Sequence, residues 1–241
     1  MKFTNIVVVF SVMSIALLSS CSSLSPVVEA EKSISETAAE SLTPMQIKTK
    51  ALHALPNLYT ANASEHKSDT ETRSQFKAAL ALKQQGRFPK AREVLITLSE
   101  QHSNLSGIWL QLALLSKEQD KNNAEQRRTD MHRYLKNAIS ANPLNYLAHN
   151  ELAQVLRQQG QFHQALSHYE LAIKSWPAYA EAYLNRGILF DLYMGRKSLA
   201  LADYELYQAL SNDDSRQLKG WIIDLQRQIK SAQQATQTGV L

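Results

Sequence analysis

The sequence predicts an all-α fold, an α-solenoid of about four helix pairs that ends in a capping helix. From about Thr70 onwards, apolar residues recur at helical spacing and short turns separate the segments. Small, aromatic and proline residues also recur at similar intervals along residues 72–210, which indicates an internal repeat. Because such a unit buries its apolar face only by stacking on its neighbours, several units are needed for a stable domain.

The composition of the 241-residue chain excludes several other classes. Hydrophobic residues make up 44% and charged residues 20%, the balance of a globular protein rather than of a disordered or multi-span membrane protein. A single cysteine cannot form an internal disulfide bond. The net charge is only +4 and no long run of one sign occurs, so nucleic acid is not predicted as a partner.

Residues 1–20 have the features of a signal peptide. The apolar run 6–18 is too short for the roughly 20 helical residues that a bilayer core requires, but it suits the apolar region of a secretory signal. This region ends at the tetrapeptide Leu18-Ser19-Ser20-Cys21, which contains the single cysteine of the chain.

The tetrapeptide resembles the lipobox of bacterial lipoproteins, in which the cysteine is acylated and the chain is cleaved just before it. This resemblance implies a palmitate-type lipid on Cys21, which would attach the chain to the membrane. Ser22, in place of an aspartate, implies the outer membrane of a gram-negative bacterium, with the protein facing the periplasm. The alternative is an ordinary secretory signal with a chance cysteine.

Residues 21–68 form a predicted tether between the lipid and the folded domain. Ser, Thr, Ala and Glu are frequent, and Pro26, Pro44 and Pro56 interrupt any long helix. We therefore expect a mostly disordered segment that makes few contacts with the domain. A short helix near Met45–Leu55 is the one regular element that the pattern favours.

The repeat that begins at Tyr146 shows the pattern most completely. Counted from Tyr146, positions 8, 15, 20, 24, 27 and 32 are Ala153, Gly160, Ala165, Tyr169, Ala172 and Pro177. Alanine permits close approach of the paired helices, glycine ends the first helix and proline ends the second. This pattern resembles the tetratricopeptide repeat (TPR) of about 34 residues and implies its superhelix of helix pairs.

Three further units share this register. They begin at Thr72, Ser106 and Ala180, and the last of them carries one extra residue in its internal turn. The unit that begins at Ser106 is longer than the pattern, and we assign the excess to residues 118–128. With the unit at Tyr146 they form four helix pairs.

The predicted TPR domain covers residues 69–234 and ends in a capping helix. Residues 213–234 form a helix with one apolar stripe and polar residues elsewhere, as expected for a helix that covers the last repeat; the stripe consists of Leu218, Trp221, Ile222, Leu225 and Ile229. The prediction is therefore nine helices and no strand. We expect the tail 235–241 to be frayed.

Motifs of catalysis and metal binding are missing from the sequence. The seven histidines form no H-E-x-x-H motif, and there is no P-loop, dinucleotide-binding loop or G-x-S-x-G motif. His149 is expected to pack against a neighbour rather than bind a ligand. We expect no enzymatic activity, no cofactor and no metal.

The candidate site is the concave groove, which the first helix of each pair (helix A) lines in the TPR family at positions 2, 5, 9 and 12. The resemblance assigns to it Arg73, Phe76, Leu80, Lys83, Leu110, Leu114, Lys117, Asn150, Gln154, Arg157, Leu184 and Ile188. The predicted floor is apolar, and Lys83, Lys117 and Arg157 align along one rim. Such a groove suits an amphipathic or extended peptide with acidic residues. The alternative is that the tether or closure of the superhelix covers some of the leucines.

These features predict a non-catalytic scaffold that binds a protein or peptide partner and serves the assembly of an envelope machine. The combination of a lipid anchor and a TPR domain resembles pilotin-like lipoproteins of type IV pilus assembly and lipoprotein adaptors of cell-wall hydrolases. Residues 185–195 and 201–205 are similar to TPR proteins associated with TonB-dependent transport. A self-assembling structural module, with the groove or the capping helix forming a homo-oligomer, is the alternative.

Overall fold

The computed structural model describes residues 42–62, 68–118 and 123–237. The signal peptide, Cys21 and residues 22–41 lie outside the described residues. The described ranges contain helices and turns and no strand. The helices are α1 (Pro44–Ala54), α2 (Leu58–Ala61), α3 (Thr70–Gln84), α4 (Phe88–Gln101), α5 (Ser106–Ser116), α6 (Ala124–Ala141), α7 (Tyr146–Gln158), α8 (Phe162–Ser175), α9 (Ala180–Leu192), α10 (Lys197–Ser211) and α11 (Arg216–Gln237).

Helices α3 to α11 form the predicted solenoid of four pairs and a capping helix. The pairs are α3/α4, α5/α6, α7/α8 and α9/α10, and each pair packs on the next along the chain. Helix α11 packs on α10, and Leu218, Ile222 and Leu225 are its buried residues. This confirms the predicted fold class. None of the described helices is both long enough and apolar enough to cross a bilayer.

Glycine occupies the turn inside the first, third and fourth pairs. Gly86, Gly160 and Gly195 have φ angles of 72°, 76° and 64°, in the left-handed region that other residues adopt at a cost. In the first turn the Arg87 amide donates to the carbonyl oxygen of Leu82, five residues earlier. In the fourth turn the Arg196 amide donates to the carbonyl oxygen of Phe190, six residues earlier. The extra residue therefore lies in this turn, as predicted.

Small side chains lie where the two helices of each pair cross. The fully buried alanines include Ala79 and Ala91 in the first pair, Ala113 and Ala138 in the second, and Ala153 and Ala165 in the third. In the fourth pair Gly187 takes the place of the first alanine and lies against Tyr204 and Asp203 of α10, where Ala200 is fully buried. The aromatic rings of Tyr169 and Tyr204 fill the space beside these crossings.

Gly187 has no room for a side chain. A Cβ atom there would lie 2.7 Å from Cε1 of Tyr204, whose ring is buried. Beside it, Nε of Arg186 donates to Oδ2 of Asp203, and the terminal nitrogen of Arg186 donates to Oδ1, each at 2.8 Å. This bidentate pair joins α9 to α10 and limits the shift by which the helices could relieve a clash.

We predict that Gly187→Ala destabilises the protein by about 1–3 kcal/mol, because the methyl group overpacks the contact with Tyr204. Gly220→Ala is the matched control, since nothing lies within 4 Å of a Cβ atom at that site. Because residue 220 lies on the exposed face of α11, Gly220→Ala should raise the free energy of unfolding by about 0.5–1 kcal/mol through the higher helix propensity of alanine. Urea unfolding of both variants tests this, and equal effects would contradict the close approach at Gly187.

The segment 42–62, which we call the strap, differs from the expected tether. Helix α1 is capped by Thr43, whose Oγ1 accepts a hydrogen bond from the Gln46 amide at 3.2 Å. Pro44 stands in the first turn of α1, where no amide hydrogen is needed, so it starts the helix rather than breaking it. Pro56 lies just beyond the end of α1. The short helix predicted near Met45–Leu55 is therefore present as α1.

The strap also packs on the repeats. Met45 and Leu52 contact an apolar cluster that contains Tyr183, Leu206 and Leu210, and α1 as a whole lies against α10. The expectation of few contacts therefore does not hold for residues 42–62. The sequence pattern did not predict this packing, because only one narrow side of α1 is buried. Ile47 and Leu55 are exposed on the other side.

We predict that Leu52→Asp destabilises the protein by about 1–3 kcal/mol, because it places a charge against the apolar cluster. For a domain of this size that corresponds to a fall in Tm of very roughly 2–4 °C per kcal/mol. Ile47→Asp is the control on the exposed side of the same helix and should leave Tm nearly unchanged. Indistinguishable thermal melts would show that the strap does not stabilise the array.

Candidate functional site

The predicted groove residues lie on one face of the A helices α3, α5, α7 and α9. Positions 2, 5, 9 and 12 are three or four residues apart, which is the spacing of one helical face. The four helices stand side by side in the solenoid, so the structure brings these residues together as a surface. Lys117 lies just beyond the end of α5, at its C-cap.

The groove residues differ in exposure. Arg73 and Lys117 are exposed, whereas Phe76, Leu80, Lys83, Leu114, Gln154, Arg157, Leu184 and Ile188 are half-buried. Leu110 and Asn150 are only 4% and 2% exposed. They belong to the interior, so their assignment to the partner-binding surface was wrong.

Three polar contacts join successive A helices along the groove. Nζ of Lys83 donates to Oε1 of Gln111 at 3.0 Å, and Nζ of Lys117 pairs with Oε2 of Glu151 at 2.5 Å. Further along, the Asn185 amide donates to Oδ1 of Asn150 at 3.1 Å. We call these contacts the rungs.

Sequence reasoning missed the second residue of each rung. Gln111, Glu151 and Asn185 all occupy position 6 of their units, next to the groove position 5. A polar residue at the same position in three successive units was the available signal. Each rung fixes the lateral position of one A helix relative to the next.

Arg157 does not lie on the rim with the two lysines. Its guanidinium carbon is 5.6 Å from the ring centroid of Tyr193, and its Nε is buried without a hydrogen-bond partner. It also lies close to the buried Tyr169, whose pKa is raised to about 12, mainly by burial and against the effect of the guanidinium. The prediction of a third rim cation is therefore wrong, because this side chain turns into the contact between α7, α8 and α9.

The two rim lysines differ in their electrostatic surroundings. Lys117 forms a salt bridge with Glu151, whereas Lys83 donates a hydrogen bond to the neutral amide of Gln111 and forms no salt bridge among the described residues. Burial lowers the pKa of Lys83. A lysine with so high an ordinary pKa keeps its charge at neutral pH, so Lys83 is the rim cation without a salt bridge among the described residues, and Glu118 and Glu151 act on it at longer range.

The strap covers the opposite edge of the groove. The Tyr59 ring packs edge-on against Tyr146 at the start of α7, with centroids 6.0 Å apart, and lies near Gly107 at the start of α5. Tyr146 in turn contacts the rings of Trp176 and Tyr179 at 4.9 and 4.7 Å. The first turns of the A helices are thus partly covered, while their carboxyl-terminal halves, with Leu80, Lys83, Leu114 and Lys117, are free of the strap.

The histidines form an internal hydrogen bond rather than a metal site. Nε2 of His149 lies 3.0 Å from the carbonyl oxygen of Pro143 and must donate to it, so Nδ1 of His149 is an acceptor. Nδ1 of His168, 2.9 Å away, therefore carries the hydrogen of the bond between the two rings. No cluster of three or more metal-ligating side chains occurs among the described residues.

We predict that stability falls as the pH drops from about 6.5 to about 4. Burial, His149 and His132 lower the pKa of His168 to about 4, and burial, with Lys136 as the second cause, lowers the pKa of the neighbouring His132. Below pH 6.5 the unfolded chain binds a proton that His168 in the folded protein does not bind, so the free energy of unfolding decreases until the pH reaches about 4.

Urea unfolding between pH 7.5 and 4 tests this dependence. His168→Gln, whose amide still donates to His149, should flatten part of the pH profile. His163→Gln, at an exposed site on the same helix, should leave the profile unchanged. If the free energy of unfolding of His168→Gln depends on pH as that of the wild type does, His168 is not the group that causes the loss of stability.

Two family models match the chain, one described as "TPR repeat" over residues 153–191 and one as "Tetratricopeptide repeat" over residues 134–167. The sequence matches no curated protein. The chain thus carries TPR repeats, and the matched segments include the unit at Tyr146 that predicted them.

Solved structures of TPR proteins share the fold. The MamA crystal structure is 17% identical, with a TM-score of 0.52 over 70% of this chain and 93% of that one. PilF from Pseudomonas aeruginosa is 17% identical, with a TM-score of 0.55 over 69% and 72% of the two chains. A TPR protein from Parabacteroides merdae is 15% identical, with a TM-score of 0.54 over 68% and 62%. At these identities the likeness shows the fold alone.

Proposed function

We propose that this protein is a non-catalytic scaffold, held by a lipid on Cys21 to the periplasmic side of the outer membrane of a gram-negative bacterium. Its TPR repeats support a role in protein–protein interaction, since arrays of this kind bind partners on an extended concave surface. The lipobox-like tetrapeptide that ends at Cys21 is the support for the anchor. Service to an envelope machine, of the type IV pilus or TonB kind, is the finer part of this proposal.

One observation carries the proposed interaction. Half-buried Leu80 and Leu114 stand beside the rim cations Lys83 and Lys117, on the part of the A helices that the strap leaves free. Half-buried leucines provide apolar contact area, and a lysine that forms no salt bridge attracts a carboxylate. The surface therefore suits a protein segment that presents apolar and acidic residues together.

The capping helix supports a second candidate, which is self-association. Trp221 and Ile223 of α11 are 36% and 46% exposed, and Leu192 near the fourth turn is 68% exposed. Exposed large apolar side chains near one end of a solenoid suit end-on contact with another molecule. Light scattering of the purified protein separates this candidate from a monomeric scaffold.

We predict that Lys83→Glu weakens partner capture at least five-fold and removes part of its salt dependence, because it reverses the charge of the rim lysine that has no salt bridge among the described residues. The fold should persist, since the Gln111 amide can donate to the new carboxylate. Lys136→Glu is the control, an equal charge change on the exposed surface of the B helix α6. Affinity capture from solubilised envelopes with mass spectrometry measures both, and equal losses would contradict the groove.

We predict that Cys21→Ser abolishes acylation and releases the protein from membranes, because the lipid is the proposed anchor. Metabolic labelling with a fatty-acid analogue and fractionation of the envelope measure the two effects. Ser20→Thr, which leaves the cysteine in place, is a milder control that should retain the label. Label that persists on the Cys21→Ser variant would contradict the lipoprotein assignment.

A further inference from the structure

A pocket of about 220 Å³ lies where the strap crosses the groove. The strap forms one wall with Tyr59 and Thr60, and the first turns of α3 and α5 form the others. The apolar part of the lining consists of Tyr59, Phe76, Leu105, Gly107 and Ile108. The pocket is thus shared between the groove and the segment that was expected to be a free tether.

Gly107 is the reason that this space is open. A Cβ atom at Gly107 would lie 3.9 Å from Oη of Tyr59 and 4.0 Å from Cζ of Phe76, which is ordinary contact. The next unit carries Leu147 at the same groove position. A Cβ atom therefore fits at Gly107, and the pocket of about 220 Å³ beside it is available to a side chain of another molecule.

Thr72 and Ser106, two polar residues that line the pocket, already have hydrogen-bond partners within the protein. Oγ1 of Thr72 is 2.8 Å from Oδ2 of Asp69 and 2.9 Å from Nε2 of His102. The Ser106 hydroxyl donates to the carbonyl oxygen of Ala138 and accepts from the Asn145 amide, both at 2.7 Å. A polar ligand group would lose its water without gaining these partners, so the pocket favours an apolar group.

One cation stands at the mouth of the pocket. Arg73 is exposed, and its Nε donates to the backbone oxygen of Asp69 at 3.3 Å. Among the described residues no carboxylate forms a salt bridge with it, and the Asp69 side chain is bound to Thr72. The terminal nitrogens of the guanidinium are therefore available to a carboxylate in the fork geometry that arginine favours.

We propose that this pocket receives one apolar side chain of the peptide partner and that Arg73 binds a carboxylate next to it. The proposal rests on the function proposed above, since it specifies the chemistry of that partner. The strap is then part of the binding site, because Tyr59 supplies the wall opposite Phe76. The pocket and Arg73 together would recognise an apolar residue of the partner that stands next to an acidic one.

Small probes test the pocket without knowledge of the partner. Phenylpropionate combines an apolar ring with a carboxylate, and phenylpropionamide is its neutral counterpart. Titrations followed by NMR on the full chain with Cys21→Ser should show the acid binding at least five-fold more tightly than the amide at low salt. Arg73→Gln should remove that difference, and it is an exposed change that leaves the fold intact.

Gly107→Leu should abolish binding of both probes, because it fills the pocket from its floor. Gly220→Leu, at the open site on α11, is the matched control and should bind both probes as the parent does. Equal affinity for acid and amide in the parent protein, or probe binding that Gly107→Leu does not reduce, would overturn the proposal.

Partner capture separates this proposal from the groove proposal. If Gly107→Leu loses the partner while Lys83→Glu still captures it, the result supports the pocket proposal and contradicts binding of the partner by the rim lysine Lys83. Capture that is lost in Lys83→Glu but unchanged in Gly107→Leu overturns the pocket and leaves the groove proposal standing.

Discussion

Close approach of the two helices in each pair is the constraint on which the rest of the structure depends. It requires fully buried alanines at the crossings, and glycine in the fourth pair, because larger side chains would hold the helices apart. The distance set at the crossings determines where each A helix stands relative to the next. The rungs between A helices, such as Lys117 with Glu151, form only because that placement is regular.

The repeats could be predicted from the sequence because their determinants are local. Gly160, Ala153 and Pro177 act through backbone conformation and steric size, which depend little on distant residues. The fates of Leu110 and Arg157 could not be predicted in this way. Both stand at groove positions by spacing, yet burial of one and the turn of the other toward Tyr193 are decided by neighbouring helices. Groove positions identify a helix face, and packing decides which of its side chains reach solvent.

The strap illustrates a second limit of sequence patterns. Its prolines were interpreted as helix breakers, whereas Pro44 occupies the first turn of α1 and Pro56 follows its end. A helix of this length is marginal in isolation, so its formation depends on contacts with residues far along the chain, including Tyr183 and Leu206. Such contacts leave no periodic signal. The groove is consequently bounded on one side by a segment that the repeat pattern does not contain.

The direction in which the strap runs has a mechanical consequence. Helix α1 packs on α10 in the last repeat, whereas Tyr59 of α2 reaches Gly107 in the second. The chain therefore approaches the array at its far end and travels back toward the first repeat before the solenoid begins. A load applied through the residues that precede the strap would act first on the contact between α1 and α10. The contact between α1 and α10 is smaller than the contacts within the helix pairs, so we expect it to separate before any repeat is strained.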